Sequence, residues 1–186
     1  KMTVAGKEIT FRQPVEYRYA DDIRGELRRP LVVVPAVSVS VDQDLMIIAR
    51  NARETIKKIA VTVTNNSSGP VTGNVKLSLP AGWAASGDPA FSLDRKGESA
   101  SVPFSIKIRS NPSAGSFHIN ASAVAGNSEY GSSIRTLSYP HIQTHRLYND
   151  AAAKVNVFDL KTAPARIGYI AGSGDRVPEA MKQMGY

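Results

Sequence analysis

The sequence contains no cysteine and only one tryptophan among its 186 residues. Without cysteine there is no disulfide framework, no thiolate metal site, no cysteine nucleophile and no iron–sulfur cluster. Long hydrophobic runs are also missing: the longest, Leu31 to Val41, includes Pro35 and two serines and is far shorter than the ~20 residues of a membrane-spanning helix. A chain of this size still buries roughly 70% of its unfolded surface on folding. A packed core can therefore form without covalent cross-links.

The charge of the chain is positive but evenly spread. Basic side chains number 23 and acidic side chains 16, for a formal net charge of +7. Only Arg24, Arg28 and Arg29 cluster, and acidic residues are interleaved with them. A protein that binds nucleic acid needs a concentrated basic face to neutralise phosphates. We therefore expect no nucleic-acid partner, and binding of an anionic polymer is the weakest of the functional hypotheses.

Apolar and polar residues alternate with a period of two over much of the chain, which is typical of strands with one buried face. Clusters of Asn, Ser, Gly and Pro separate these segments and predict turns. The pattern predicts an immunoglobulin-like antiparallel β-sandwich over residues 31–142, with Trp83 as a large core residue and a small closed barrel as the alternative. The alternating segments are Val37–Val41, Ile59–Val63, Val75–Leu79, Val102–Ile108 and Phe117–Ala123.

The two flanks differ from this pattern. The pattern of residues 1–30 indicates an extended connector from a preceding domain, with a polar loop over 20–30 that ends in proline. Residues 143–186 predict a linker strand followed by the first strand–loop–helix unit of a following α/β domain. In that unit 166–172 read as a buried strand and 177–184 as a helix, with Pro178 in the first turn and Gly185 at the C-cap. We interpret the chain as an excerpt from a longer polypeptide.

The loop between that predicted strand and helix is a weak candidate for a phosphate-type site. It contains Gly172, Gly174 and Asp175, and backbone N–H groups at a helix N-terminus attract anions. The alternative is a tight turn in which Asp175 caps the helix. A single Gly-x-Gly is a weak motif, so the turn is the favoured interpretation.

No catalytic residues and no metal ligands are predicted. His141 and His145 lie four positions apart but follow Pro140 at a strand end, and no glutamate completes a metalloprotease pattern. The acidic pairs Asp21–Asp22 and Asp42–Asp44 lie in polar stretches where exposed acids are expected. The candidate binding residues are instead aromatic, because sugars stack on exposed rings: Trp83, Tyr130 and Tyr139.

Two longer runs carry a more specific signal. Residues 17–35 (YRYADDIRGELRRPLVVVP) and 167–186 (IGYIAGSGDRVPEAMKQMGY) resemble the long bacterial members of the LmbE-like, or PIG-L, deacetylase family. In those proteins a zinc-dependent N-acetylglucosaminyl deacetylase domain comes first. A β-sandwich similar to the domain attached to some α-galactosidases follows, and then a domain similar to class I glutamine amidotransferases.

The resemblance implies that this chain is the noncatalytic middle region of such an enzyme. The family's zinc site is built around a His-Pro-Asp-Asp motif, whereas Asp21–Asp22 here follow Tyr19–Ala20. We therefore transfer no metal ligand, and zinc is expected only in the preceding domain, with no cofactor in this chain. The expected partners are the flanking domains of the same polypeptide, and the location implied is periplasmic or extracellular.

Three functional hypotheses follow. The first is a noncatalytic β-sandwich that spaces and orients the domains of a deacetylase, as a monomer without activity of its own. The second is a carbohydrate-binding module that uses Trp83, Tyr130 and Tyr139. The third is a binder of anionic polymers.

Overall fold

The computed structural model describes residues 1–51, 55–139, 141–170 and 172–186. Its secondary structure consists mainly of strands, with one helix near the C-terminal end. In chain order the elements are β1 (Met2–Val4), β2 (Lys7–Ile9), β3 (Glu16–Asp21), β4 (Gly25–Pro30), β5 (Val37–Val41), β6 (Leu45–Ala49), β7 (Thr55–Asn65), β8 (Val71–Ser78), β9 (Ala84–Ser86), β10 (Ala90–Leu93), β11 (Ser99–Ile108), β12 (Gly115–Ala125), β13 (Ser128–Tyr130), β14 (Ser132–Leu137), β15 (His145–Asp150), β16 (Ala152–Phe158) and α1 (Val177–Met184).

The chain divides into two compact units. The small unit comprises Lys1–Val34 and Arg135–Leu147, and the large unit comprises Pro35–Ile134 and Tyr148–Tyr186. The chain therefore passes from one unit to the other three times: between Val34 and Pro35, within β14 and within β15. Among the described residues, no helix combines the length and the apolar composition needed to cross a bilayer.

The large unit is an immunoglobulin-like β-sandwich. One sheet has the strand order β5-β7-β11-β9, and the other has the order β10-β8-β12-β16-β6, with β13 also paired to β12. Consecutive strands β7 and β8 lie in different sheets, as do β11 and β12. This alternation between sheets gives the arrangement of immunoglobulin domains, in which strands A, B, E and D form one sheet and C, F and G the other. The sequence prediction of this fold class is confirmed.

The alternating residues build the core between the two sheets. In β7 every second residue from Ile59 to Asn65 is buried, and in β11 every second residue from Val102 to Ile108 is buried. Because strand side chains alternate between the two faces, each strand contributes one apolar face to the core and one polar face to the surface. The largest fully buried side chains are Met46, Ile48, Ile59, Leu93, Ile106, Ile108 and Ile119.

The segment that enters the sandwich crosses from one sheet to the other. Strand β5 pairs antiparallel with β7, whereas β6 pairs parallel with β16. The crossing is held at Asp42, whose backbone N–H donates to Ala60 O at 3.0 Å and whose Oδ1 accepts from Ala60 N–H at 3.0 Å. Both sheets are therefore tied to the first residues of the large unit.

Helix α1 packs against the edge strand β6. It begins with Pro178 in its first turn and ends at Gly185, which adopts the left-handed region (φ 96°) that favours glycine. The sequence prediction of this helix, with Pro178 in its first turn and Gly185 at the C-cap, is confirmed. The expected cap by Asp175 is not: the N-cap residue is Arg176, and its side chain makes no capping hydrogen bond. The side chain of Gln183 accepts a 2.8 Å hydrogen bond from the backbone N–H of Ile47 in β6.

The small unit is built from hairpins with little buried surface. Strands β1 and β2 form one antiparallel pair, and β3 and β4 form another. The segment expected to be a polar loop over 20–30 is thus largely a strand. The turn lies within this segment, between Asp21 and Gly25, and the strand β4 continues to Pro30.

Two further expectations differ from the structure. Residues 166–170 form no strand and are exposed, with Ile167 46% and Tyr169 41% accessible. No strand in the described part of the chain pairs with them, and Ala171, also in the predicted strand, lies outside the described residues. The strand near Val155 and Val157 is present as β16, but it pairs with β12 and β6 inside the sandwich. The predicted linker strand is therefore the strand that completes the second sheet.

Candidate functional site

A groove of about 770 Å³ in the small unit is the candidate site. Ligand-binding pockets usually span about 300–1,000 Å³, so its size suits a small organic ligand. The hairpin β3–β4 forms one wall, and residues 138–139 and 141–146 form the other. Its lining residues are Tyr19, Arg24, Leu27, Arg28, Arg29, Pro30, Val32, Ser138, Tyr139, His141, Ile142, Gln143, Thr144 and Arg146.

The register of the β3–β4 hairpin decides which side chains share a face. Tyr17 lies opposite Arg29, and Tyr19 lies opposite Leu27. Residues directly opposite each other on an antiparallel pair project from the same face. One face of the hairpin therefore carries two tyrosines and an arginine.

The turn of this hairpin is fixed by Asp21. Its Oδ1 accepts hydrogen bonds from the backbone N–H groups of Ile23 (3.0 Å) and Arg24 (2.9 Å). The N–H of Arg24, followed by that of Ile23, lowers the pKa of the Asp21 carboxyl from its ordinary value. Gly25 closes the turn at φ 74°, a conformation that favours glycine. Asp21, one of the acids weighed as a metal ligand, thus serves as a turn residue.

Aromatic rings line the groove on both walls. On the hairpin, the rings of Tyr17 and Tyr19 stack with centroids 5.7 Å apart, and the guanidinium of Arg29 lies 5.0 Å above the Tyr19 ring. On the other wall, Tyr139 stacks on His141 at 5.9 Å. Tyr139 is 57% exposed, so a face of its ring is available to a ligand.

Positive charge dominates the lining. Four of the described lining residues are arginines, and none is aspartate or glutamate. The charge of Arg28 is balanced within the hairpin, because its guanidinium forms ion pairs with Glu26 at 3.1 Å and with Glu16 at 3.8 Å. Within the described parts of the chain, no carboxylate lies within 4.0 Å of the guanidinium of Arg29 or Arg146. Arg24 takes part in no ion pair among the described residues either, so three arginines, Arg24, Arg29 and Arg146, carry the net charge of the groove.

Polar side chains tie the second wall to the first. Nε2 of Gln143 donates to the carbonyl of Arg28 at 3.4 Å, and the hydroxyls of Ser138 and Thr144 lie 3.0 Å apart. The groove is thus lined by stacked rings, guanidinium groups and uncharged hydroxyl and amide groups. Such a surface binds polar ligands that also present a flat apolar face.

A second cavity of about 340 Å³ adjoins the groove. It is lined by Val15, Glu16, Tyr17 and Leu31, and shares four further residues with the groove: Arg29, Pro30, Val32 and Arg146. Arg29 and Arg146 therefore line both cavities. A ligand longer than one ring unit would pass these two arginines.

The three predicted aromatic residues have different environments. Trp83 is half-buried and packs against Phe117, with ring centroids 6.0 Å apart. Tyr130 is half-buried at the end of β13 and packs on the core. Tyr139, in the small unit, lines the groove. The structure thus places one of the three at the candidate site.

The loop with Gly172, Gly174 and Asp175 already contains an internal anion. The Asp175 carboxylate accepts from the Tyr169 hydroxyl at 2.7 Å, from the Gly172 N–H at 2.9 Å and from the Val177 N–H at 3.4 Å. The Tyr169 hydroxyl, followed by the Gly172 N–H, lowers the pKa of Asp175, and the same hydrogen bond raises the pKa of Tyr169. The donors that a phosphate would use are therefore directed at Asp175.

The other acidic and histidine pairs have structural surroundings. Asp42 holds the crossing between the sheets, and Asp44 lies 3.8 Å from Arg176. His141 stacks on Tyr139, whereas His145 begins β15. Pro140, which the sequence argument used for this segment, lies outside the described residues.

Sequence reasoning missed several groove residues. Arg28 and Arg29 were recognised as a cluster, but Tyr19, Gln143 and Arg146 were not linked to them. The available signal was the alternation of Tyr17 and Tyr19 along one strand. A hairpin with its turn at 22–24 places Tyr17 opposite Arg29. Arg146 gave no local signal, because it lies 117 residues after Arg29.

Comparisons with known proteins found no matching family model and no significantly similar curated protein. Among solved structures, native alpha-2-macroglobulin of E. coli is 17% identical with a TM-score of 0.44, covering 73% of this chain and 7% of that one. A FixG-related protein from Vibrio parahaemolyticus is 12% identical with a TM-score of 0.43, covering 67% and 98% of the two chains. A PapD-like domain of human CEP192 is 12% identical with a TM-score of 0.35, covering 73% and 95%. Similarities this weak carry no argument about function.

Proposed function

We propose that this chain is a noncatalytic accessory module that binds carbohydrate in the groove of its small unit. The observation that supports the proposal is the exposed Tyr139 ring beside guanidinium, hydroxyl and amide groups in a groove of about 770 Å³. A pyranose presents C–H bonds on one face and hydroxyls around its edge. An aromatic ring surrounded by hydrogen-bonding groups complements both features.

The test is direct binding of short oligosaccharides to the 186-residue chain, measured by calorimetry and by amide chemical-shift changes. We expect shifts at Tyr139, His141 and Gln143. Tyr139→Ala should abolish binding, whereas Tyr139→Phe, which keeps the ring, should retain it. Tyr186→Ala, at an exposed tyrosine outside the groove, serves as the matched control. Binding that is unaffected by Tyr139→Ala would contradict the proposal.

The second candidate is a spacer within a zinc-dependent deacetylase of N-acetylated sugars. It is supported by the immunoglobulin-like sandwich, a fold suited to a noncatalytic accessory domain, and by the resemblance of residues 17–35 and 167–186 to the LmbE-like family. Both roles are compatible in one module, because a spacer that holds a glycan also brings substrate to its neighbour.

The spacer role is tested by activity. The purified chain should release no acetate from N-acetylated sugars with zinc present, in an assay that an added active deacetylase shows to be working. In the full-length protein, exchange of the sandwich for an unrelated immunoglobulin-like domain should lower activity on long substrates. Zinc-dependent acetate release by the chain alone would contradict a noncatalytic role.

A further inference from the structure

Resting on the proposed carbohydrate site, we propose that the groove selects acidic oligosaccharides, with Arg29 and Arg146 receiving a sugar carboxylate and Tyr139 stacking on a sugar ring. The inference concerns the class of ligand. It is carried by three features of the small unit: the charge of the lining, the position of Arg29 over the Tyr19 ring, and the residues that the two cavities share.

The charge of the lining favours an anionic ligand. Four arginines and no aspartate or glutamate are found among the described residues that line the groove. Arg28 is paired with Glu16 and Glu26, and those ion pairs lie on the face of the hairpin that Tyr17 and Tyr19 do not share. The charge of Arg29 and Arg146 is therefore not balanced locally, and a carboxylate supplied by the ligand would balance it.

Arg29 is held over an aromatic ring and has N–H donors for a carboxylate. Its guanidinium lies 5.0 Å above the Tyr19 ring, which in turn stacks on Tyr17. A guanidinium carries five N–H donors, and its contact with a ring face provides none of them with an acceptor oxygen. These donors match the two oxygens of a carboxylate in a bidentate pair. Because the stack already limits the side chain's freedom, less conformational entropy is lost on binding.

The two cavities favour an oligomer over a single anion. Arg29 and Arg146 line both the larger and the smaller cavity, so a chain that occupies both would pass them at its middle. Tyr139, on the larger cavity only, would then lie beside a neighbouring ring. The compact lining, with its uncharged Ser138, Gln143 and Thr144, fits a short saccharide better than the long row of phosphates in a nucleic acid.

The experiment compares three probes on the same 186-residue chain. The first is a galacturonic acid trisaccharide, the second is its methyl ester, which keeps the skeleton but removes the charge, and the third is a single-stranded DNA oligonucleotide. We expect the acid to bind about tenfold or more tightly than the ester. Binding of the acid should also weaken as sodium chloride is raised, because exposed charges are screened.

Variants test the assigned residues. Arg146→Gln and Arg29→Gln should each weaken binding of the acid about tenfold or more, with little effect on the ester. Arg12→Gln, at an exposed arginine of the small unit outside the groove, removes the same charge and should change nothing. If Arg29→Gln disturbs the hairpin, Arg146→Gln and the comparison of acid with ester still decide the question.

The other outcomes separate this inference from the proposed function. Equal affinity for acid and ester would overturn the inference and leave a carbohydrate site. No binding of either sugar, or of the neutral oligosaccharides above, would overturn both. Tighter binding of the oligonucleotide that displaces the acid trisaccharide would overturn the inference in favour of a general polyanion site.

Discussion

The backbone N–H of Ile47 donates a 2.8 Å hydrogen bond to Oε1 of Gln183, 136 residues later in the chain. Ile47 lies on β6, the edge strand of its sheet, and Gln183 lies on α1. An edge strand presents N–H groups with no strand partner, and covering it protects against association with other chains. The helix thus protects this edge of the sandwich.

Gln183→Ala should loosen the helix from the sheet. The half-buried N–H of Ile47 would lose its acceptor, at a cost of about 1 kcal/mol. We expect the amide of Ile47 to exchange with solvent several-fold faster in NMR hydrogen exchange, with little change in the interior of β7. Gln183→Glu keeps an acceptor oxygen and should keep protection, and Lys182→Ala, on the exposed side, is the matched control. Unchanged exchange at Ile47 in Gln183→Ala would show that the bond does not hold the edge.

The edge strand β6 was not predicted from the sequence. Its residues LMIIA form a continuous apolar run with no polar alternation, although only Met46 and Ile48 are buried and the residues between and beside them are partly or fully accessible. A short apolar run without alternation does not distinguish a strand from a helix. By contrast, β7 and β11 have one face in water and were read directly from their alternation. The strand signal thus depends on polar residues at the positions that face solvent.

The candidate site was harder to predict for a different reason. Tyr139 was recognised as an aromatic candidate, but its neighbours Arg29 and Arg146 come from segments far apart in the sequence. The pairing of β3 with β4 and the return of the chain at 138–139 and 141–146 bring them together. Composition and spacing describe local structure, whereas a groove between distant segments requires the tertiary fold.

Gly73→Ala should destabilise the large unit. A Cβ at this position would overlap the carbonyl oxygen of Val124 on β12 and lie 2.9 Å from Cζ of Phe91. Because both neighbours are part of the packed sheet, relief requires movement of backbone or of a buried ring, at a cost of roughly 1–3 kcal/mol. Urea unfolding followed by circular dichroism measures the change.

Gly69→Ala is the matched control for this substitution, since a Cβ there meets nothing within 4 Å. It should leave the urea midpoint nearly unchanged. Equal midpoints for the two variants would contradict the close approach of β8 and β12 at Gly73.

Asn65→Ala should also lower stability. Asn65 is fully buried at the end of β7, where Nδ2 donates to Gly69 O at 2.8 Å and Oδ1 accepts from the Ser67 N–H at 2.8 Å. Removing the amide leaves a partly buried donor and acceptor without these partners, and the expected loss is about 1–3 kcal/mol in the free energy of unfolding. Ser68→Ala, an exposed change in the same turn, should have an effect within about 0.5 kcal/mol. A neutral Asn65→Ala in thermal and urea unfolding would be the contradictory result.

The β3–β4 turn should loosen in acid. The pKa of Asp21 is lowered below its ordinary value of 3.8 because the carboxylate accepts from the Arg24 and Ile23 N–H groups. A carboxyl whose pKa is lower in the folded state stabilises the structure above its unfolded pKa, and this contribution is lost as the pH falls through the folded value. NMR titration should therefore show the carboxyl of Asp21 titrating below 3.8, with the amides of Ile23 and Arg24 shifting in step. The variant Asp21→Asn keeps an acceptor oxygen but has no carboxyl to titrate. In this variant the amide signals of Ile23 and Arg24 should therefore not follow such a titration. A midpoint for Asp21 at or above 3.8 would contradict the turn geometry.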